Sequence, residues 1–127
     1  MDIENLKNKI ESGAHYIVTQ MFFDNRKFCR FRDECRKAGI TVPIFAGIKP
    51  ISALNDIKSL PQAFHIDLPN DLVSAVQKCN TDKEAREVGI EWATTQSKEL
   101  IKEGVPGIHY YTLGRSDNVA RIVKASF

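Results

Sequence analysis

The sequence has no apolar stretch near the roughly 18 residues that cross a bilayer, so it offers no transmembrane helix. Its first residues, MDIENLKNKIESG, lack the apolar centre of a signal peptide. No run of charge of one sign occurs: 18 basic and 16 acidic residues are mixed along the chain, for a net charge of +2. That pattern excludes the clustered basic face that a nucleic-acid or membrane-surface partner requires. Cysteine is sparse, odd in number and never in a CxxC pair. Cys29, Cys35 and Cys79 therefore read as reduced thiols of a cytoplasmic protein, not as a disulfide framework or a zinc site. His15, His65 and His109 are isolated, with no carboxylate or cysteine at ligand spacing, so no metal is expected. There is no serine nucleophile elbow, P-loop or GxGxxG motif, and no base near Cys79 to activate it. Internal repeats and low-complexity linkers are also missing.

What remains is an ordinary globular composition, 43% hydrophobic and 27% charged, in a chain long enough for a single domain over residues 1–127. Ile3, Leu6 and Ile10 predict a helix over Asp2–Ser12, ended by Gly13. Tyr16–Phe23 is β-branched and aromatic and predicts a strand. Asp24 is placed to cap a helix over Asn25–Ala38 with Phe28, Phe31, Cys35 and Ala38 as its apolar stripe. Val42–Ile48 predicts a second strand, Ser52–Leu60 a short helix stopped by Pro61, and Asn70–Lys78 another. Thr81 and Glu84 have capping-box spacing and open the longest helix, to about Glu103. Gly89 inside that helix predicts close packing against a neighbour, since glycine there costs about 1 kcal/mol relative to alanine. Gly107–Tyr111 is the third strand and Ser116–Ala125 the last helix.

Strands alternating with amphipathic helices predict an α/β fold with a parallel sheet. Three strands make a very small one, so the pattern fits either a minimal α/β domain or part of a larger one. In such folds ligands meet the C-terminal strand ends. Gln20 lies there, and its amide both donates and accepts, which suits a heterocycle or a buried backbone partner. Gly47 leaves room for a close approach, or marks a bend. Arg115 follows the densest polar cluster, His109–Arg115, and suits a carboxylate or the solvent at a helix start.

Four segments, VTQMFFD at 18–24, AGITVPIFAGIKPIS at 38–52, VGIEWA at 88–93 and GVPGIHYYTLGR at 104–115, together resemble the methylenetetrahydrofolate reductase family. The resemblance runs from about Asp2 to the C-terminus. It implies the C-terminal part of a (β/α)8 TIM barrel, with three parallel βα units and the barrel incomplete in this chain. It also implies FAD as cofactor, NADH or NADPH as electron donor, and reduction of 5,10-methylenetetrahydrofolate to 5-methyltetrahydrofolate. By this resemblance Gln20 and Arg115 contact the folate substrate, while Asp2, Asn5 and Lys9 line the FAD. Four departures accompany it. Asn8 stands where the family often has arginine, Asp56 and Leu60 replace a glutamine and an aromatic residue near the folate, and Gly114 replaces an asparagine. The family's catalytic glutamate, and the histidine and aspartate flanking its flavin, have no counterpart here. The resemblance thus implies little or no turnover by this chain alone, and a partner in the missing N-terminal part of the barrel or a homo-oligomer. The alternatives are a non-catalytic FAD-binding remnant or barrel-completing subunit, and a small independent α/β domain.

Overall fold

The structure, a computed structural model, describes residues 3–111 and 116–127. In chain order its elements are α1 (Ile3–Glu11), β1 (Ile17–Val18), α2 (Asn25–Lys37), β2 (Ile44–Ile48), α3 (Asp56–Phe64), α4 (Asn70–Gln77), α5 (Asp82–Lys102), β3 (Ile108–Tyr110) and α6 (Ser116–Ser126). The three strands are parallel and lie in the order β1-β2-β3. Each connection carries at least one helix, as parallel neighbours require.

Strand alternation gives the sheet two unlike faces. Ile44, Ala46 and Ile48 project to one side and are all at most 1% exposed. They pack with Leu6 of α1, Phe28 of α2 and Leu100 of α5 in the larger core cluster. Each fully buried branched side chain there contributes roughly 1.5–3 kcal/mol relative to exposure. A second cluster, with Met21, Phe23, Ile51, Leu60, Leu72 and Val76, closes over the region beyond the C-terminal strand ends.

The helix punctuation is local chemistry. Asp24 caps α2 by accepting from the Arg26 backbone N–H at 3.0 Å, and Thr81 caps α5 by accepting from the Glu84 N–H at 3.2 Å. Glu84 meets the Thr81 hydroxyl, not its backbone N–H, so the reciprocal half of a capping box is not made. Gly89 of α5 lies directly on the backbone of Ile51, where any Cβ would overlap the Ile51 carbonyl. The close packing expected there is present.

Two expectations are corrected. The strand expected over Tyr16–Phe23 has ladder pairing only at Ile17 and Val18. Thr19 N–H still donates to Phe45 O, but the next bond to this strand comes from Phe22 N–H to Gly47 O, one residue later than alternation allows. Between them the Thr19 hydroxyl accepts from the Gly47 N–H at 2.9 Å, in place of a main-chain carbonyl. The helix expected over Ser52–Leu60 instead starts at Asp56 and continues through Pro61 to Phe64. Its late start follows from Asp56 Oδ2, which accepts from Ser52 N, Ser52 Oγ and Ala53 N and folds 52–55 into a turn. Pro61 removes the bond to the Ile57 carbonyl, a defect of about 3 kcal/mol in a free helix interior. Leu60, 4% exposed, and its neighbours Ile57 and Phe64 anchor α3 in the second cluster and carry it past that defect. His65 ends it in the left-handed region, at φ 52.

Candidate functional site at the strand ends

Register puts Val18, Phe45, Gly47 and His109 on the sheet face opposite Ile44, Ala46 and Ile48. This second face is open at its N-terminal half. Tyr16 is 60% exposed, His109 is exposed and Phe45 half-buried, with Tyr16 and Phe45 in edge contact at 5.7 Å. The C-terminal half is covered by the chain itself. Tyr111, edge-on to His109 at 4.7 Å, donates from its hydroxyl to Thr19 O at 2.9 Å and from its N–H to Ile48 O at 2.8 Å. A Cβ on Gly47 would lie 2.9 Å from the Tyr111 ring and against Thr19 O. The room that Gly47 leaves is therefore taken by the Tyr111 ring and the Thr19 carbonyl, and this close approach of protein accounts for the glycine.

Gln20 is exposed just beyond β1, and its Nε2 donates to Phe64 O at 2.7 Å. The bond spends one donor on the end of α3 and leaves the amide oxygen open, so Gln20 keeps an acceptor and a second donor for a ligand. Asp56 is committed to the turn just described, and Leu60 is inside the core. Neither is presented at the strand ends as a glutamine or an exposed aromatic would be.

Asn5 and Lys9 stand one turn apart on α1, both exposed, on one side of the helix beside the Ile3, Leu6 and Ile10 stripe. Neither makes an ion pair with a described residue. An unpaired ammonium beside a free amide is a donor set that fits a phosphate-bearing group. Asp2 and Arg115 lie outside the described residues, as does Gly114. Among the described residues no group of histidine, cysteine and carboxylate side chains could hold a metal ion, and no helix is long and apolar enough to cross a membrane.

One polar residue at the strand ends was not singled out from the sequence. Lys49 follows β2 directly and is 4% exposed. Its Nζ donates to Pro50 O at 2.7 Å. Burial pushes its pKa below the ordinary 10.5, opposed by the charge of Asp56. The sequence did carry a signal, a lone charge inside the apolar run IFAGIKPI. Burying an unpaired ammonium costs several kcal/mol, so the residue calls for an explanation.

The profile of the methylenetetrahydrofolate reductase family matches residues 1–126. The 5,10-methylenetetrahydrofolate reductase of Escherichia coli is 38% identical over 117 residues, covering 91% of this chain and 40% of that protein. A probable methylenetetrahydrofolate reductase (NADPH) of Caenorhabditis elegans is 32% identical over 126 residues, covering 98% of this chain and 19% of that protein. In fold, the chain matches an uncharacterized protein from Clostridium thermocellum that binds two copies of 5-methyl-5,6,7,8-tetrahydrofolic acid. The TM-score is 0.67 at 17% identity, covering 98% of this chain and 46% of that one. The chain thus spans about two fifths of the length of the bacterial relatives it matches.

Proposed function

The chain belongs to the methylenetetrahydrofolate reductase family, and on that premise we propose that it is one wall of a folate-reducing (β/α)8 barrel, three βα units that recognise folate but do not by themselves turn it over. The observation that carries this reading is the half-open sheet face. A parallel sheet is ordinarily covered on both sides. Here one side is sealed by helices, while the other presents Tyr16, Val18 and Phe45, residues unsuited to permanent solvation. Strands in sequential order with helices outside and an apolar inner face are what consecutive staves of a barrel require.

The recognition half of the reading rests on the strand ends. Gln20, with an acceptor and a donor to spare, is suited to the paired edges of a pterin. Arg115 is assigned to the same ligand on the family resemblance, as a partner for the folate carboxylates. The folate-binding neighbour of the same fold supports a folate ligand here too. Asn5 and Lys9, with Asp2 by resemblance, would hold FAD through its phosphate-bearing part. When bound, FAD supplies hydride transfer between NADH or NADPH and the folate. What this chain's own residues do is bind and orient. The acids that follow β1 and β2, Asp24 and Asp56, are engaged in the cap of α2 and in the 52–55 turn.

The test is a steady-state assay of the purified chain with FAD, NADH or NADPH, and 5,10-methylenetetrahydrofolate. The expected result is no rate above free flavin, together with measurable folate binding. Clear turnover would refute the wall reading.

A further inference from the structure

We propose that Lys49 is a specificity-determining residue for the folate, its buried ammonium donating to acceptor atoms of the pterin ring. The inference rests on the folate-wall reading and deepens it by naming a contact which that reading does not include.

Among the described residues Lys49 is the one buried charged residue. An ammonium has three N–H donors and no acceptor. One donor goes to the carbonyl of the next residue, Pro50, and no described carboxylate forms an ion pair with it. Asp56, the acid whose charge it feels, has Oδ2 committed to Ser52 and Ala53. A residue retained for packing at this position would be apolar, because an unpaired buried cation is worse than a hydrophobic side chain of the same volume. Two unspent donors in a buried setting are accounted for by an acceptor brought from outside.

The position is at the strand ends. The register, continued one step past Ile48 and Tyr110, sets Lys49 beside Tyr111, whose own ring lies over Gly47. Strand alternation carries Lys49 to the face of Gly47, the face of the open aromatic stripe. Burial favours the heterocycle over the flexible, charged aminobenzoylglutamate tail, which is at home in water. Lysine can only donate, whereas Gln20 both donates and accepts. The two together would tell a pterin's acceptor edge from its donor edge.

The test is calorimetric titration of the wild-type chain, Lys49→Met and Lys49→Arg with two probes, 5-methyltetrahydrofolate and 6-methyltetrahydropterin, which has the ring without the tail. Thermal unfolding of each variant accompanies it. Lys49→Met is expected to weaken both probes about tenfold, the loss of a charged hydrogen bond, with an unfolding midpoint no lower than wild type. Lys49→Arg should recover part of the loss. Unchanged affinity in Lys49→Met would overturn the proposal. So would a loss confined to 5-methyltetrahydrofolate, which would assign the ammonium to the tail, or a loss accompanied by a lowered midpoint, which would make the lysine structural. If the wild-type chain binds neither probe, the folate-wall reading fails and the proposal falls with it. Binding by wild type that is unaltered in Lys49→Met defeats the proposal alone.

Discussion

The two faces of one short strand, β2, meet different surroundings. Along β2, Ile44, Ala46 and Ile48 are sealed under the helices, while Phe45, between them, is half-buried and in edge contact with an exposed tyrosine. Yet the sequence of β2, IFAGI, is apolar throughout. A strand with one face in water usually alternates apolar and polar residues. The mismatch between an apolar sequence and a half-open face is the physical content of the barrel-wall proposal. Folding of this segment depends on the sealed face, and recognition is assigned to the other.

The sharpest way to break the comparison is at the sealed side's closest contact. Gly89→Val would drive a side chain into the Ile51 backbone, which has no flexible end to yield. Overpacking of this kind is expected to cost about 3 kcal/mol or more, read by urea denaturation. Next comes a matched pair on β2 itself. Ile48→Ala should destabilise by about 2–5 kcal/mol. Phe45→Ala should cost about 1 kcal/mol or less, because its ring gives up little buried area. Equal costs would show that the open face is as much a part of this chain's core as the sealed one.

Smaller effects sharpen the picture. Asp24→Ala removes the cap of α2 and should cost about 1 kcal/mol at neutral pH. The Arg26 side chain beside Asp24 holds its carboxyl below the usual 3.8. A depressed acid stabilises above its unfolded pKa and loses that contribution as pH falls through its folded pKa. The wild-type advantage over Asp24→Ala should therefore shrink below about pH 4. The smallest effect is a slope. Lys49 has a folded pKa below its ordinary 10.5, so between the two the unfolded chain binds the extra proton and stability rises with pH. Wild type should gain on Lys49→Met as pH approaches 10.5, although Cys29, Cys35 and Tyr110, all raised by burial, pull the total the other way in both proteins. A flat difference between the two would mean that Lys49 is not buried in solution.

The order of elements was legible because it is written in local signals. The caps at Asp24 and Thr81, the glycine stops at Gly13, Gly39 and Gly104, and the tight contact at Gly89 each depend on a few neighbouring atoms. What the sequence hid depends on distant partners. The first strand reads as eight residues, but Thr19 spends its hydroxyl on Gly47 and its carbonyl on Tyr111, far along the chain, and the ladder ends there. Pro61 reads as a stop until Leu60 is seen anchored in the second core. At the site, Gln20 was found from its amide inside an apolar run. Lys49 is not legible in the same way, because a charge after a strand ordinarily reaches water, and only the packing around it reveals that it does not.

The wall reading is tested most directly by mapping backbone amide shifts in an NMR titration of the chain with 5-methyltetrahydrofolate. The account predicts perturbations confined to the strand ends, around Gln20, Lys49 and Tyr111, and none along the sealed face at Ala93 or Leu100. An unperturbed spectrum, or shifts centred on the outer groove beside Asn25 and Trp92, would contradict it.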